Sequence, residues 1–169
     1  SLKDNYLTQD KTLPFPTQDN TGINDNGRNF SLSGKYLAVG YPDEDGAGER
    51  SGAVYVIDIE SVQFQKLTST AGRFGQRFGE SVQIDGDTLV VGSPHADRGV
   101  IKSGEVTVFK LIENEWKQQA IIRNPAGHAY DLFGSKVAIS GKNILVGAGY
   151  PVYGSEKPIG RVYLFSENS

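Results

Sequence analysis

Side chains able to do chemistry cluster in a few places. Asp43, Glu44, Asp45 and Glu49 crowd one stretch, with Gly46 and Gly48 between them to let the chain fold back. Calcium takes several hard oxygen ligands, often from closely spaced carboxylates. Asp43, Asp45 and Glu49 are therefore candidates for weak calcium binding. Asp19, Asn20, Asn24, Asp25 and Asn26 form a second oxygen-rich stretch. Neither completes the alternating acidic loop with a distal glutamate that tight calcium sites use. A solvated acidic loop is the competing reading of 43–49.

The histidines are His95 and His128, each followed by an aspartate, Asp97 and Asp131. A transition-metal site wants three or four ligands, and these pairs offer two. Ordinary polar loop residues are the expectation, with no tight catalytic metal. Two carboxylates across one bond can hydrolyse a glycoside. Asp43 or Asp45 with Asp97 would be such a pair, though nothing selects it over others. The chain has no G-x-S-x-G elbow, phosphate loop or dinucleotide fingerprint. Tyr41, Tyr150 and Tyr153 lie in or beside long loops, where tyrosine offers a rigid ring with a polar tip to a protein or a sugar. Packing competes with that reading and is the better account of Tyr41. The candidate ligand-binding set is Tyr41, Asp43, Asp45, His95, Asp97, Tyr150 and Tyr153.

The 169 residues are enough for one sizeable core. A net charge of −3 with scattered basic residues argues against a nucleic-acid surface, which needs a clustered positive patch. The apolar runs are too short for a membrane-spanning helix. Lack of cysteine excludes disulfides and thiolate chemistry. Lack of methionine, even at position 1, is read as a processed or engineered boundary from which any signal peptide has been removed.

An internal repeat carries most of the information. Residues 25–42, 77–94 and 132–149 align, with Gly34, Gly86 and Gly141 in register at spacings of 52 and 55. Gly40, Gly92 and Gly147 keep the same spacings, as do Gly27, Gly79 and Gly134. A second block follows each first one: SGAVYVIDI, SGEVTVFKL and IGRVYLFSE. Period-two alternation and glycine turns predict strands at 28–33, 36–41, 52–59 and 62–68. The next copy predicts 80–85, 88–93, 103–111 and 115–122, and the last predicts 135–140, 143–148 and 160–166. An orphan strand at 5–13 resembles the outer strand 113–122 in aromatic placement.

Each repeat reads as a four-stranded antiparallel meander. Such a meander cannot bury both faces alone, and radial stacking of copies makes a β-propeller. The predicted fold is all-β, with three blades: 14–68, 69–122 and 123–169, the last lacking its outer strand. Residues 1–13 supply an outer strand for the last blade of the same or another chain. Long loops gather on one face, where binding usually sits. Gly92 and Gly147 are expected to lie where one blade approaches the next.

The pairs Phe78-Gly79 and Phe133-Gly134, with LVVGSP at 89–94 and SGEVTVF at 103–109, resemble the FG-GAP repeat of integrin alpha propellers and bacterial surface proteins. The first copy departs from it, with Asn26-Gly27 in place of Phe-Gly. The resemblance implies a six- or seven-bladed propeller used for recognition or adhesion, secreted or at the cell surface, with a protein or glycan ligand. In calcium-binding integrin blades the acidic loop joins the first two strands. The corresponding turns here, SGKY, DGDT and SGKN, are too short for it. Three blades fall short of the usual four to eight. A homodimeric six-bladed propeller is expected, with a piece of a longer single-chain propeller as the alternative. Two other readings stay open: a carbohydrate-active enzyme using loop carboxylates, and a purely structural assembly unit.

Overall fold

The computed structural model describes residues 12–13, 29–97, 99–149 and 160–167. Among these there are eleven strands and no helix. The first sheet contains β1 (Asn29–Ser33), β2 (Tyr36–Tyr41), β3 (Ala53–Asp58) and β4 (Phe64–Thr68). The second contains β5 (Ser81–Asp85), β6 (Thr88–Ser93), β7 (Glu105–Ile112) and β8 (Glu115–Arg123). The third contains β9 (Lys136–Ser140), β10 (Asn143–Ala148) and β11 (Arg161–Ser166). In each sheet neighbours in sequence are neighbours in space, paired antiparallel. These are the meanders that the glycine register predicts, and their bounds fall within two residues of the expected ones. The orphan strand at 5–13 lies outside the described residues, apart from Thr12 and Leu13, which are not in a strand.

Alternation explains the stacking. The near-continuous apolar run of β6 is buried at every position because both of its faces are covered. Leu89 and Val91 join Val82, Ile84 and Phe109 against Ala38, Val54 and Val56 of the first blade. Val90, Val106 and Val108 point the other way, against Ile144 and Val146 of the third. Phe78 and Phe133, fully buried, plug these two junctions. Each plug needs a glycine beside it. A Cβ on Gly52 would lie 2.1 Å from the Phe78 carbonyl oxygen, and one on Gly104 would lie 2.1 Å from that of Phe133.

The short turns dock on one another. Ser33 Oγ accepts a bond from the Gly86 amide at 3.0 Å, and Asp85 Oδ2 accepts one from the Gly141 amide at 2.7 Å. Ser31 Oγ likewise accepts from the Ile84 amide at 3.1 Å. The β3–β4 turn is held by Asp58, which pairs with Lys35 at 2.7 Å. The Lys35 bond and the Ser61 and Glu60 amides hold the Asp58 carboxyl down to about 2. The β7–β8 turn places Glu113 and Asn114 at φ 53° and 63°, the two left-handed residues of a tight hairpin.

The junction glycines behave differently along the chain. A Cβ on Gly40 would lie 2.1 Å from the Gly79 oxygen, and one on Gly92 would lie 2.0 Å from the Gly134 oxygen. Gly147 was expected to be equally crowded, and the structure corrects this. Its Cβ would meet only Lys136, at 3.5 Å, an ordinary contact. Among the described residues no further blade covers its sheet.

Candidate recognition face

Antiparallel connectivity puts the β2–β3 and β6–β7 loops, and the connections between blades, at the end of the stack opposite the short turns. The loops are built alike. Gly52 donates to the Glu44 carbonyl at 2.8 Å, and Gly104 donates to the Ala96 carbonyl at 3.1 Å. Asp45 Oδ1 accepts the Arg50 amide at 2.7 Å, and Asp97 Oδ1 accepts the Lys102 amide at 2.6 Å. Asp45 and Asp97 thus do the same work one repeat apart, closing a loop across five residues.

Asp43 and Glu44 are buried, and a buried carboxylate needs partners. Asp43 Oδ1 accepts from Arg77 Nη1 at 2.6 Å, with Arg50 Nη2 at 3.4 Å. Arg77 Nε also reaches Glu80 Oε2 at 2.6 Å. This links the first blade's loop to the connection entering the second blade. Glu44 Oε1 accepts from Tyr55 Oη at 2.7 Å and Lys66 Nζ at 2.5 Å. Tyr41 is buried too, edge-on to Tyr55 with ring centroids 5.5 Å apart. Its packing reading therefore prevails, and its ring is not part of an open contact surface.

His95, in the second blade, lies within electrostatic reach of this network. Burial pushes its imidazole below the ordinary value. Lys102 and Arg77 push the same way, against opposing effects of Glu80 and Asp43. The structure thus gathers Asp43, Arg77, Glu80, His95 and Lys102 at the junction of two blades. Sequence reasoning found Asp43 and His95 but missed Arg77, Arg50 and Lys66. A search for cations able to neutralise the acidic loop would have raised them.

In the third blade Asp131 Oδ2 accepts from Asn124 Nδ2 at 2.8 Å, with His128 Nδ1 at 3.5 Å and Arg161 Nη1 at 3.9 Å. His128 and Asp131 thus lie together, beside an arginine. Tyr150 and Tyr153 lie outside the described residues, as does the 19–26 stretch.

The three candidate calcium ligands, Asp43, Asp45 and Glu49, have separate surroundings. Asp43 Oδ1 faces arginines, Asp45 Oδ1 accepts a backbone amide, and Glu49 is exposed. Among the described residues no three histidine, aspartate or glutamate side chains are grouped to hold a metal. The calcium loop of integrin blades does not fit either. Its position is taken by turns whose Ser33 and Asp85 side chains bind the next blade. Among the described residues no helix is long and apolar enough to cross a membrane.

Four-stranded antiparallel sheets stacked face to face, with a phenylalanine plug at each junction, define the blades of a β-propeller. The FG-GAP repeat model matches residues 62–109 and 116–165, more than half of the chain, and the chain belongs to that family. Each match runs from the outer-strand region of one blade to the third strand of the next. Human integrin alpha-D is 30% identical over 132 residues, which span 69% of this chain and 11% of the relative. The crystal structure of the computationally designed Ika4 protein overlaps 80% of this chain and 88% of its own, with a TM-score of 0.34 and 10% identity.

Proposed function

We propose that the chain is a non-catalytic recognition module, secreted or displayed at the cell surface, that binds a protein or glycan through its loop face. One observation carries this reading. The loop carboxylates Asp43, Glu44, Asp45 and Asp97 each accept bonds from cations or loop amides. Bonds of this kind rigidify loops, and a rigid scaffold with shaped loops favours recognition. Polar groups of both signs at the blade junction, Asp43, Glu80, Arg77 and Lys102 around His95, suit a polar partner surface. Likeness to an integrin alpha chain supports a protein partner and an extracellular setting.

The test is binding to an array of glycans and matrix proteins, with hydrolysis assayed on every glycan bound. Binding without turnover is expected. Turnover that is lost in Asp97→Asn would establish the carbohydrate-active reading instead. No binding to any partner would leave the assembly role as the function.

A further inference from the structure

The connection entering the third blade carries an exposed ring at a strained place in the chain. Tyr130 lies three residues before the Phe133 plug and sits in the left-handed region, at φ 62°. A bulky side chain in that region is an outlier. Three residues before Phe78 the same conformation, φ 65°, is taken by Gly75, for which it carries no steric cost. Strain of this kind persists only where the surroundings impose it, and it gathers at functional sites. Packing does not account for the ring, since Tyr130 is 49% exposed. Ile101, 55% exposed, lies beside it, because the Tyr130 amide donates to the Ile101 carbonyl at 2.9 Å.

Backbone bonds hold the two residues in place. The Leu132 and Phe133 amides donate to the Lys102 and Ser103 carbonyls, each at 3.1 Å. The β6–β7 loop and the connection entering the third blade therefore run side by side, in parallel where Gly104 meets Phe133. Asn124 Nδ2 donates to Asp131 Oδ2 at 2.8 Å and closes that connection on itself. Asn124 Oδ1 also accepts the Ala126 amide at 3.0 Å. An aromatic anchor fixed in this way loses little conformational freedom on binding. Cations border the pair. Lys102 follows Ile101 directly and lies within electrostatic reach of His95. Among the described residues its ammonium has no carboxylate partner. Arg161 Nη1 stands 3.9 Å from the carboxylate of Asp131, the residue after Tyr130.

We infer that Tyr130 and Ile101 are the apolar anchor of the loop face, and that its ligand is a protein segment presenting an apolar side chain next to a carboxylate. This rests on the recognition reading of the loop face given above. An exposed aliphatic side chain such as Ile101 gains by burial against another apolar group and offers no hydrogen bond to the hydroxyls of a glycan. A tyrosine at the centre with charged groups at the rim is the arrangement of an interaction hot spot. The Lys102 ammonium sets the charge of that rim, and a carboxylate complements it. Tyr130 carries the strained backbone because the ring has to project from a loop that is otherwise tied down.

The test measures affinity of the full chain for short synthetic peptides with a central Leu-Asp, Leu-Asn, Leu-Lys or Ser-Asp pair, beside an array of glycans. The wild-type chain is expected to bind Leu-Asp peptides and to bind the Leu-Lys and Ser-Asp ones about tenfold more weakly. Tyr130→Gly and Ile101→Ser each weaken Leu-Asp binding by about tenfold. Lys102→Ala removes the preference for Leu-Asp over Leu-Asn, and Ile112→Ser, at the turn end, changes nothing. Tyr130→Gly keeps its melting temperature or raises it, because glycine takes the left-handed conformation without strain. A clear fall in that temperature shows that the ring serves packing and overturns the inference. So does a wild-type chain that binds no Leu-Asp peptide, or glycan binding that Tyr130→Gly removes. Leu-Asp binding that survives both anchor substitutions overturns it too. If His95→Ala still weakens that binding, the anchor alone falls and recognition at the loop face stands. Binding untouched by His95→Ala as well removes both.

Discussion

Single atoms decide what the repeat tolerates. Gly92 faces the Gly134 carbonyl so closely that a side chain has nowhere to go. Overpacking of this kind costs about 1–3 kcal/mol, so Gly92→Val lowers the melting temperature clearly. Gly147→Val leaves the chain's own fold nearly as stable, because only Lys136 is near. Thermal melts of the two variants check the contrast, and equal losses would contradict it. His95 gives a pH signature. Its imidazole is held below the ordinary value by burial first and by Lys102 and Arg77 next. The unfolded chain therefore takes up a proton more readily than the folded one. The stability His95 contributes is complete above about pH 6.5 and falls as the pH drops toward its lowered value. His95→Gln flattens that dependence in melts between pH 7 and pH 5. A dependence left unchanged would show that other groups titrate there.

Elements were legible where local patterning sets them. Alternation and glycine turns marked the eleven strands of the described residues, because each depends on residues only a few positions apart. The β6 run is apolar at consecutive positions, the pattern of a strand covered on both faces. The network around Arg77 was not legible, since Asp43 lies a whole connection away and no local spacing reports the pair. Gly147 shows the converse limit. Its repeat position is right, but its environment depends on a blade that would have to follow. The Phe-Gly plugs link the two scales. Phe78 and Phe133 are fully buried between blades, and aromatic truncation in a core costs about 3–5 kcal/mol. Phe133→Ala is expected to lower the urea midpoint by loosening the second junction, and Phe78→Ala by loosening the first. Midpoints that do not move in either would remove the plugs from the account.

At the scale of the whole molecule, the stack has two ends with different work. Short turns at one end lock blade to blade through Ser33 and Asp85. Long loops at the other carry Arg77, His95 and Lys102, outside the strand ladders. The separation makes recognition at the loop end the central claim. Its direct measurement is the affinity of the chain for whichever arrayed protein or glycan it binds, compared between folded variants of the two ends. His95→Ala and Lys102→Ala at the loop end should each weaken binding at least tenfold, while Lys35→Ala and Lys117→Ala at the turn end should leave it unchanged. Binding lost from the turn-end variants and kept by the loop-end ones would contradict the account.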